Sequence, residues 1–98
     1  MTLKFELVVP AYNEAANLED VVARAAEAAK SAGFAEGEFQ LVVVENGSSD
    51  RSHEVLEQLK LRPQLAPWFR TVKVVVNQGY GFGIWSGLQT VTAPVVGW

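Results

Sequence analysis

The chain has 98 residues, enough for one small domain spanning 1–98 and too few for two. Hydrophobic residues make up 49% and charged residues 19%, which is the composition of a globular domain and argues against disorder. The net charge is −3 with no Lys/Arg cluster, so a nucleic-acid partner is not expected, and the lack of cysteine excludes a disulfide scaffold or a thiolate metal site.

The opening text, MTLKFELVVPAYNE, is no secretory signal, because its apolar run is short and leads directly into a turn. No apolar stretch approaches the roughly 18 residues of a membrane span. These features point to the cytoplasm, with a station at the membrane face left open for a complete protein.

In chain order, Leu3 to Val9 reads as a first strand closed by Pro10. Residues 14–32 are rich in Ala and Glu, and Leu18, Val21, Val22, Ala25 and Ala29 share one helical stripe. Asn13 is placed to cap this helix and Gly33 to end it. Segment 33–38 is a loop. Phe39 to Val44 is a continuous apolar run, the signature of a strand buried on both faces. Asp50 suits the N-cap of a second helix with Val55, Leu56 and Leu59 inward. Pro63 and Pro67 end that helix, and Trp68 and Phe69 are expected to plug the bottom of the sheet. Val72 to Val76 is a third strand, Tyr80 to Gln89 a third helix with Trp85 in the core, and Val95 onward a fourth strand. Stopping on Ala93-Pro94-Val95-Val96-Gly97-Trp98, the text reads as truncated in or after that strand. The β-α-β-α-β-α-β order predicts an α/β fold, a Rossmann-like parallel sheet with right-handed crossovers and helices on both faces.

Ligands of such sheets bind at the carboxyl ends of the strands. Each of the first three strands here runs into polar text: Pro10-Ala11-Tyr12-Asn13-Glu14, Glu45-Asn46-Gly47-Ser48-Ser49-Asp50 and Asn77-Gln78-Gly79-Tyr80-Gly81-Phe82-Gly83. The residue types suit a nucleoside. Pro10 and Ala11 offer backbone groups in an extended turn, and Tyr12 can pack on a base or ribose. Glu14 or Glu45 can accept from a base N–H or a ribose hydroxyl. Glycines 79, 81 and 83 permit close backbone approach, and the third helix would aim its N-terminus at phosphate. Taken singly, each segment also reads as an ordinary turn with a helix cap; together they would have to mimic a ligand rim three times in order. His53, the one histidine, reads as solvent-facing. No P-loop and no Ser-His-Asp arrangement is visible, and no dinucleotide fingerprint follows strand one.

VVPAYNE, VVVENGSSD and NQGYGFGIWSGL together resemble the successive N-terminal motifs of inverting family-2 glycosyltransferases of the GT-A fold, nearest in style to the dolichyl- or polyprenyl-phosphate sugar transferases. The resemblance covers Leu3 to Trp98. It implies a GT-A half-domain that binds a UDP- or GDP-linked sugar, with Pro10, Ala11, Tyr12, Glu14, Glu45, Gly47, Ser48, Asn77, Gly79 and Gly83 as substrate-binding residues. Glu45 and Asn46 stand where the family usually has two aspartates, Gln78 where a basic residue is common and Gly83 where alanine is common. The family's Asp-x-Asp motif holds a divalent cation, Mg²⁺ or Mn²⁺, that acts as Lewis acid for the departing nucleoside diphosphate. That motif is not among these residues, so no catalytic residue and no metal ligand is assigned. The resemblance implies sugar transfer to an acceptor, a polyprenyl phosphate among the options. The alternative is a non-catalytic nucleotide-binding or interaction module. A nucleotidyltransferase would want a Gly-rich basic loop after strand one, which PAYNE does not supply. An incomplete sheet would also expose an edge through which the chain could self-associate.

Overall fold

The computed structural model describes residues 2–47, 51–76 and 78–98, with Tyr80 described through its backbone alone. Strand β1 (Phe5–Ala11), helix α1 (Leu18–Ser31), strand β2 (Phe39–Asn46), helix α2 (Ser52–Leu59), strand β3 (Phe69–Val74), helix α3 (Tyr80–Leu88) and strand β4 (Val95–Gly97) follow in that order. The strands form one parallel sheet in the order β3-β2-β1-β4.

The two faces of the sheet are covered by different helices. On one face, Leu18, Val22, Ala26 and Ala29 of α1 and Leu56 and Leu59 of α2 pack with Ala11, Leu41 and Val43. On the other, α3 lies over Val8, Val42 and Val44. β2 is central and covered on both sides, which is why its sequence is an unbroken apolar run and not an alternation.

Helix α1 begins later than its composition implies. Asn13 adopts a left-handed conformation (φ 51°) and does not cap the helix. Asn17 occupies the cap position, and residues 14–17 form a turn closed by the Asn17 N–H donating to the Glu14 carbonyl at 2.8 Å. The helix ends as its sequence suggests. Gly33 (φ 94°) donates to the Lys30 carbonyl and Phe34 to that of Ala29, each at 3.0 Å. This paired return satisfies two terminal carbonyls and requires the left-handed backbone that glycine supplies.

Strand β3 is displaced toward the N-terminus of its apolar run. It pairs with β2 from Leu41↔Phe69 to Asn46↔Val74. The ladder ends at Asn46↔Val74, and among the described residues Val75 and Val76 have no strand partner and are 80% and 65% exposed. Trp68 and Phe69 are buried where the chain enters β3, at the end of the sheet opposite the rim, and Lys30 Nζ sits 5.6 Å over the Trp68 ring.

Helix α3 approaches the sheet through glycine. A Cβ at Gly87 would collide with the side chains of Val8 and Val44. Gly83, Ile84 and Gly87 therefore face inward, and the helical period turns Trp85 outward, 55% exposed and packed against Phe82 with ring centroids 5.7 Å apart. The expectation that Trp85 belongs to the core is corrected by this geometry.

Candidate functional site

The ends of β1 and β2 and the start of α3 meet at the carboxyl rim, next to the switch in strand order between β1 and β4. Pro10 and Ala11 are the last residues of β1, beside Val44 and Glu45 of β2. Pro10 has no N–H to give a ladder, and it lies past the last β1–β4 pair, Leu7↔Gly97. The chain then bends through Tyr12, 48% exposed, and Asn13. Glu14 is exposed on the turn, its carboxylate accepting from Asn17 Nδ2 at 3.3 Å.

A cleft of about 260 Å³ opens between this turn and α1, lined by Val9, Pro10, Ala11, Glu14, Leu18, Val21 and Val43. Its lining is apolar apart from Glu14. Clefts that take whole drug-sized ligands run to roughly 300–1,000 Å³. This one suits a ring system and part of a sugar.

Glu45 and Asn46, adjacent in sequence, serve opposite faces of the sheet. Glu45 follows Val43 on the α1–α2 face, and its side chain is 7% exposed. His53, in the first turn of α2, donates its Nδ1–H to both carboxylate oxygens at 3.0 and 3.1 Å. A carboxylate can only accept, so the Nδ1–H form of the imidazole is the one present in this contact. The imidazole is 56% exposed, so the sequence reading of His53 as solvent-facing describes one side of the ring and misses the other.

Asn46 is 2% exposed and points toward α3, where its Nδ2 donates to the Gly79 carbonyl at 3.1 Å. Its Oδ1 is buried without a hydrogen-bond partner. A Cβ at Gly83 would stand 2.8 Å from Asn46 Nδ2 and 3.1 Å from Pro10 Cβ. Gly83 is thus required for packing against the sheet, a demand separate from ligand approach. At Gly79 and Gly81 a Cβ would meet nothing within 4 Å, and Gly79 (φ 104°) holds the backbone that launches α3. Gly47 ties the end of β2 to β3, its N–H donating to the Val74 carbonyl at 2.7 Å. Ser48 and Asn77, and the expected cap Asp50, lie outside the described residues.

Sequence reasoning missed a second buried carboxylate. Glu6 is 1% exposed inside β1, on the α3 face. Its Oε1 accepts from Arg70 Nη2 at 2.9 Å, and its Oε2 accepts from the Thr92 and Ala93 N–H at 2.7 and 3.1 Å. Burial pushes its pKa up, but the two backbone donors and the Arg70 guanidinium outweigh that and hold it below the ordinary value. Arg70 also donates to Thr90 Oγ1 at 2.8 Å. The network secures the segment that leads into β4. The available signal was a charged residue interrupting an apolar strand.

Among the described residues, no three His, Cys, Asp or Glu side chains converge as a metal ion would need. The residues that form this rim therefore do not fit a divalent cation, whose ligands would have to come from outside them. No helix among the described residues is long and apolar enough to cross a membrane.

The sequence matches glycosyl transferase family 2 over residues 6–98. The chain belongs to this family. Among its relatives are undecaprenyl-phosphate 4-deoxy-4-formamido-L-arabinose transferases. That of Edwardsiella ictaluri is 37% identical over 81 residues, covering 82% of this chain and 23% of the relative. That of Pseudomonas paraeruginosa is 39% identical over 75 residues, covering 76% of this chain and 20% of the relative. The chain thus spans about a fifth to a quarter of the length of these curated family-2 relatives. Among solved structures, the mannosyltransferase PcManGT from Pyrobaculum calidifontis, in complex with GDP-Man and Mn2+, superposes with a TM-score of 0.71 at 18% identity, covering 98% of this chain and 26% of that one. TarS 1–349 from S. aureus superposes with a TM-score of 0.66 at 22% identity, covering 95% and 26%. These likenesses establish the GT-A glycosyltransferase fold that the three motifs imply.

Proposed function

We propose that the 98 residues act as a single domain that binds the nucleoside diphosphate of a UDP- or GDP-linked sugar, within an enzyme that transfers the sugar to an acceptor by direct displacement at the anomeric carbon. The observation that carries this reading is the meeting of three strand-end segments at one rim. Asn46 bridges the end of β2 to Gly79, Gly83 rests on Asn46 and Pro10, and Pro10 lines the apolar cleft. In this reading the base enters the cleft between the β1 turn and α1, with Pro10, Ala11, Tyr12 and Glu14 around it. Glu45 meets a base N–H from the neighbouring strand, and Gly47, Ser48, Asn77, Gly79 and Gly83 border the path of the diphosphate.

The acceptor class follows from the relatives' names, which specify undecaprenyl phosphate. A polyprenyl phosphate is accordingly proposed for the whole protein, which would place it in the cytoplasm at the membrane face. A divalent cation, Mg²⁺ or Mn²⁺, is proposed for the complete enzyme, with its ligands outside the described residues.

Calorimetric titration with UDP and GDP tests the donor site. Glu45→Ala should weaken binding by ~1–3 kcal/mol, the usual cost of a hydrogen bond left unmade at a buried partner. Unchanged affinity in that variant removes Glu45 from the site.

A further inference from the structure

We propose that His53 is a positioning residue for donor binding: it holds the Glu45 carboxylate in the orientation that meets the nucleobase. The inference rests on the donor-site reading above and assigns a role to a side chain that reading does not use.

The case begins with the length of Glu45. A glutamate at this position carries one more rotatable bond than an aspartate, so its carboxylate can sweep a wider arc over the rim. A ligand that must find it in one place would have to immobilise it on binding. Here it is immobilised beforehand. The imidazole Nδ1–H spans both oxygens, at 3.0 and 3.1 Å, which fixes the tilt of the carboxylate plane as well as its position. A carboxylate has about four acceptor sites, so the contact with one N–H does not exhaust its capacity to accept.

His53 projects from an anchored helix. The first turn of α2 is seated by Ser52, which is 0% exposed, and the helix is anchored by Leu56 and Leu59, which are 0% and 3% exposed. The imidazole therefore reaches Glu45 from a rigid base, with one face to solvent. The carboxylate stands one pair further along the same sheet face as Val43, and directly beside Ala11. Both of those residues line the cleft. A base seated in the cleft would thus approach Glu45 from β1 while His53 holds it from α2. In that pose the two contacts would fall on different sides of the carboxylate and would not compete.

Titration of UDP and GDP into wild type, His53→Ala, His53→Asn, His53→Gln, Glu45→Ala and the His53→Ala/Glu45→Ala double variant tests this, with the thermal midpoint of each recorded. His53→Ala is expected to bind about 2–12-fold more weakly, the weight of immobilising one flexible side chain at binding instead of beforehand. His53→Asn should recover most of that loss, because its amide nitrogen stands as many bonds from Cβ as Nδ1 does. His53→Gln, whose nitrogen is one bond further out, should not. In the Glu45→Ala background, His53→Ala should cost nothing more.

A merely structural histidine would lower the melting temperature without separating Asn from Gln in affinity. Wild-type or tighter binding by His53→Ala, with Glu45→Ala weakened, overturns the positioning role and leaves the donor site standing. An undiminished effect of His53→Ala in the Glu45→Ala background overturns it equally. Wild-type affinity in Glu45→Ala removes Glu45 from the donor site and overturns this inference, whereas no binding of UDP or GDP by the wild type sinks the donor-site reading itself.

Discussion

Gly81→Ala and Gly87→Ala are the same substitution in one short helix, and the structure separates them. Both lie within α3 (Tyr80–Leu88). Replacing glycine by alanine in a helix gains up to ~1 kcal/mol from backbone propensity. At Gly81 the new methyl group meets nothing within 4 Å, so only that gain applies. At Gly87 it would run into Val8 and Val44, two side chains that are 0% exposed and have no room to withdraw. Overpacking a filled interior costs ~1–3 kcal/mol. Gly87→Ala should therefore fall between parity with wild type and a loss of ~3 kcal/mol, and the two variants should differ by ~1–3 kcal/mol. A domain of this size shifts by ~4–8 °C per kcal/mol. Thermal unfolding followed by circular dichroism should accordingly place Gly81→Ala at least ~4 °C above Gly87→Ala. Equal melting temperatures would mean that α3 is not seated on β1 and β2 through Gly87, and would refute the packing that brings Gly83 to Asn46.

The Glu6 network makes two further predictions. Arg70→Met leaves a 1% exposed carboxylate without its guanidinium. Losing one partner of a fully buried pair costs ~3–5 kcal/mol; with Arg70 28% exposed and the Thr92 and Ala93 donors surviving, the loss should fall at or below the lower end, measurable by urea unfolding. Because the folded-state pKa of Glu6 is lowered from 4.5, the stability it contributes is present above that range and lost as pH falls through the folded value. The stability gap between wild type and Glu6→Gln should be widest near neutral pH and narrow below about 4.5; a gap that widens in acid contradicts the assignment. Mn²⁺ or Mg²⁺ should change the UDP or GDP affinity of these 98 residues little, since the described residues offer no converging ligand set; strongly metal-dependent binding in calorimetry would place ligands inside the chain. β4 is an edge strand with Val95 54% exposed and Trp98 70% exposed nearby, so concentration-dependent association is expected in sedimentation, and a clean monomer would count against it.

Much of the architecture was legible because it is written in local pattern. The unbroken apolar run at Phe39–Val44 announced a strand covered on both faces, and β2 is that strand. Gly33 announced the end of α1, because the terminal return needs a left-handed backbone. The alternation of strands and helices, joined to the three strand-end motifs, was sufficient for the fold and the family.

Other features were not local and could not be read that way. The end of β3 at Val74 depends on where β2 stops offering partners, so the apolar Val75 and Val76 fall outside the sheet. Trp85 faces outward because Gly83 and Gly87 claim the side of α3 that fits the valines, a choice made by the sheet and not by hydrophobicity. Glu45 and Asn46 read as one motif, yet the pleat sends one to His53 and the other to Gly79. Local pattern was enough to order the strands and helices and to point the strand-end turns at one rim, since periodicity and turn chemistry act over a few residues. The face that each rim side chain serves and the contact of His53 with Glu45 emerge from the folded packing, because they depend on register between strands and on how α2 docks against β2.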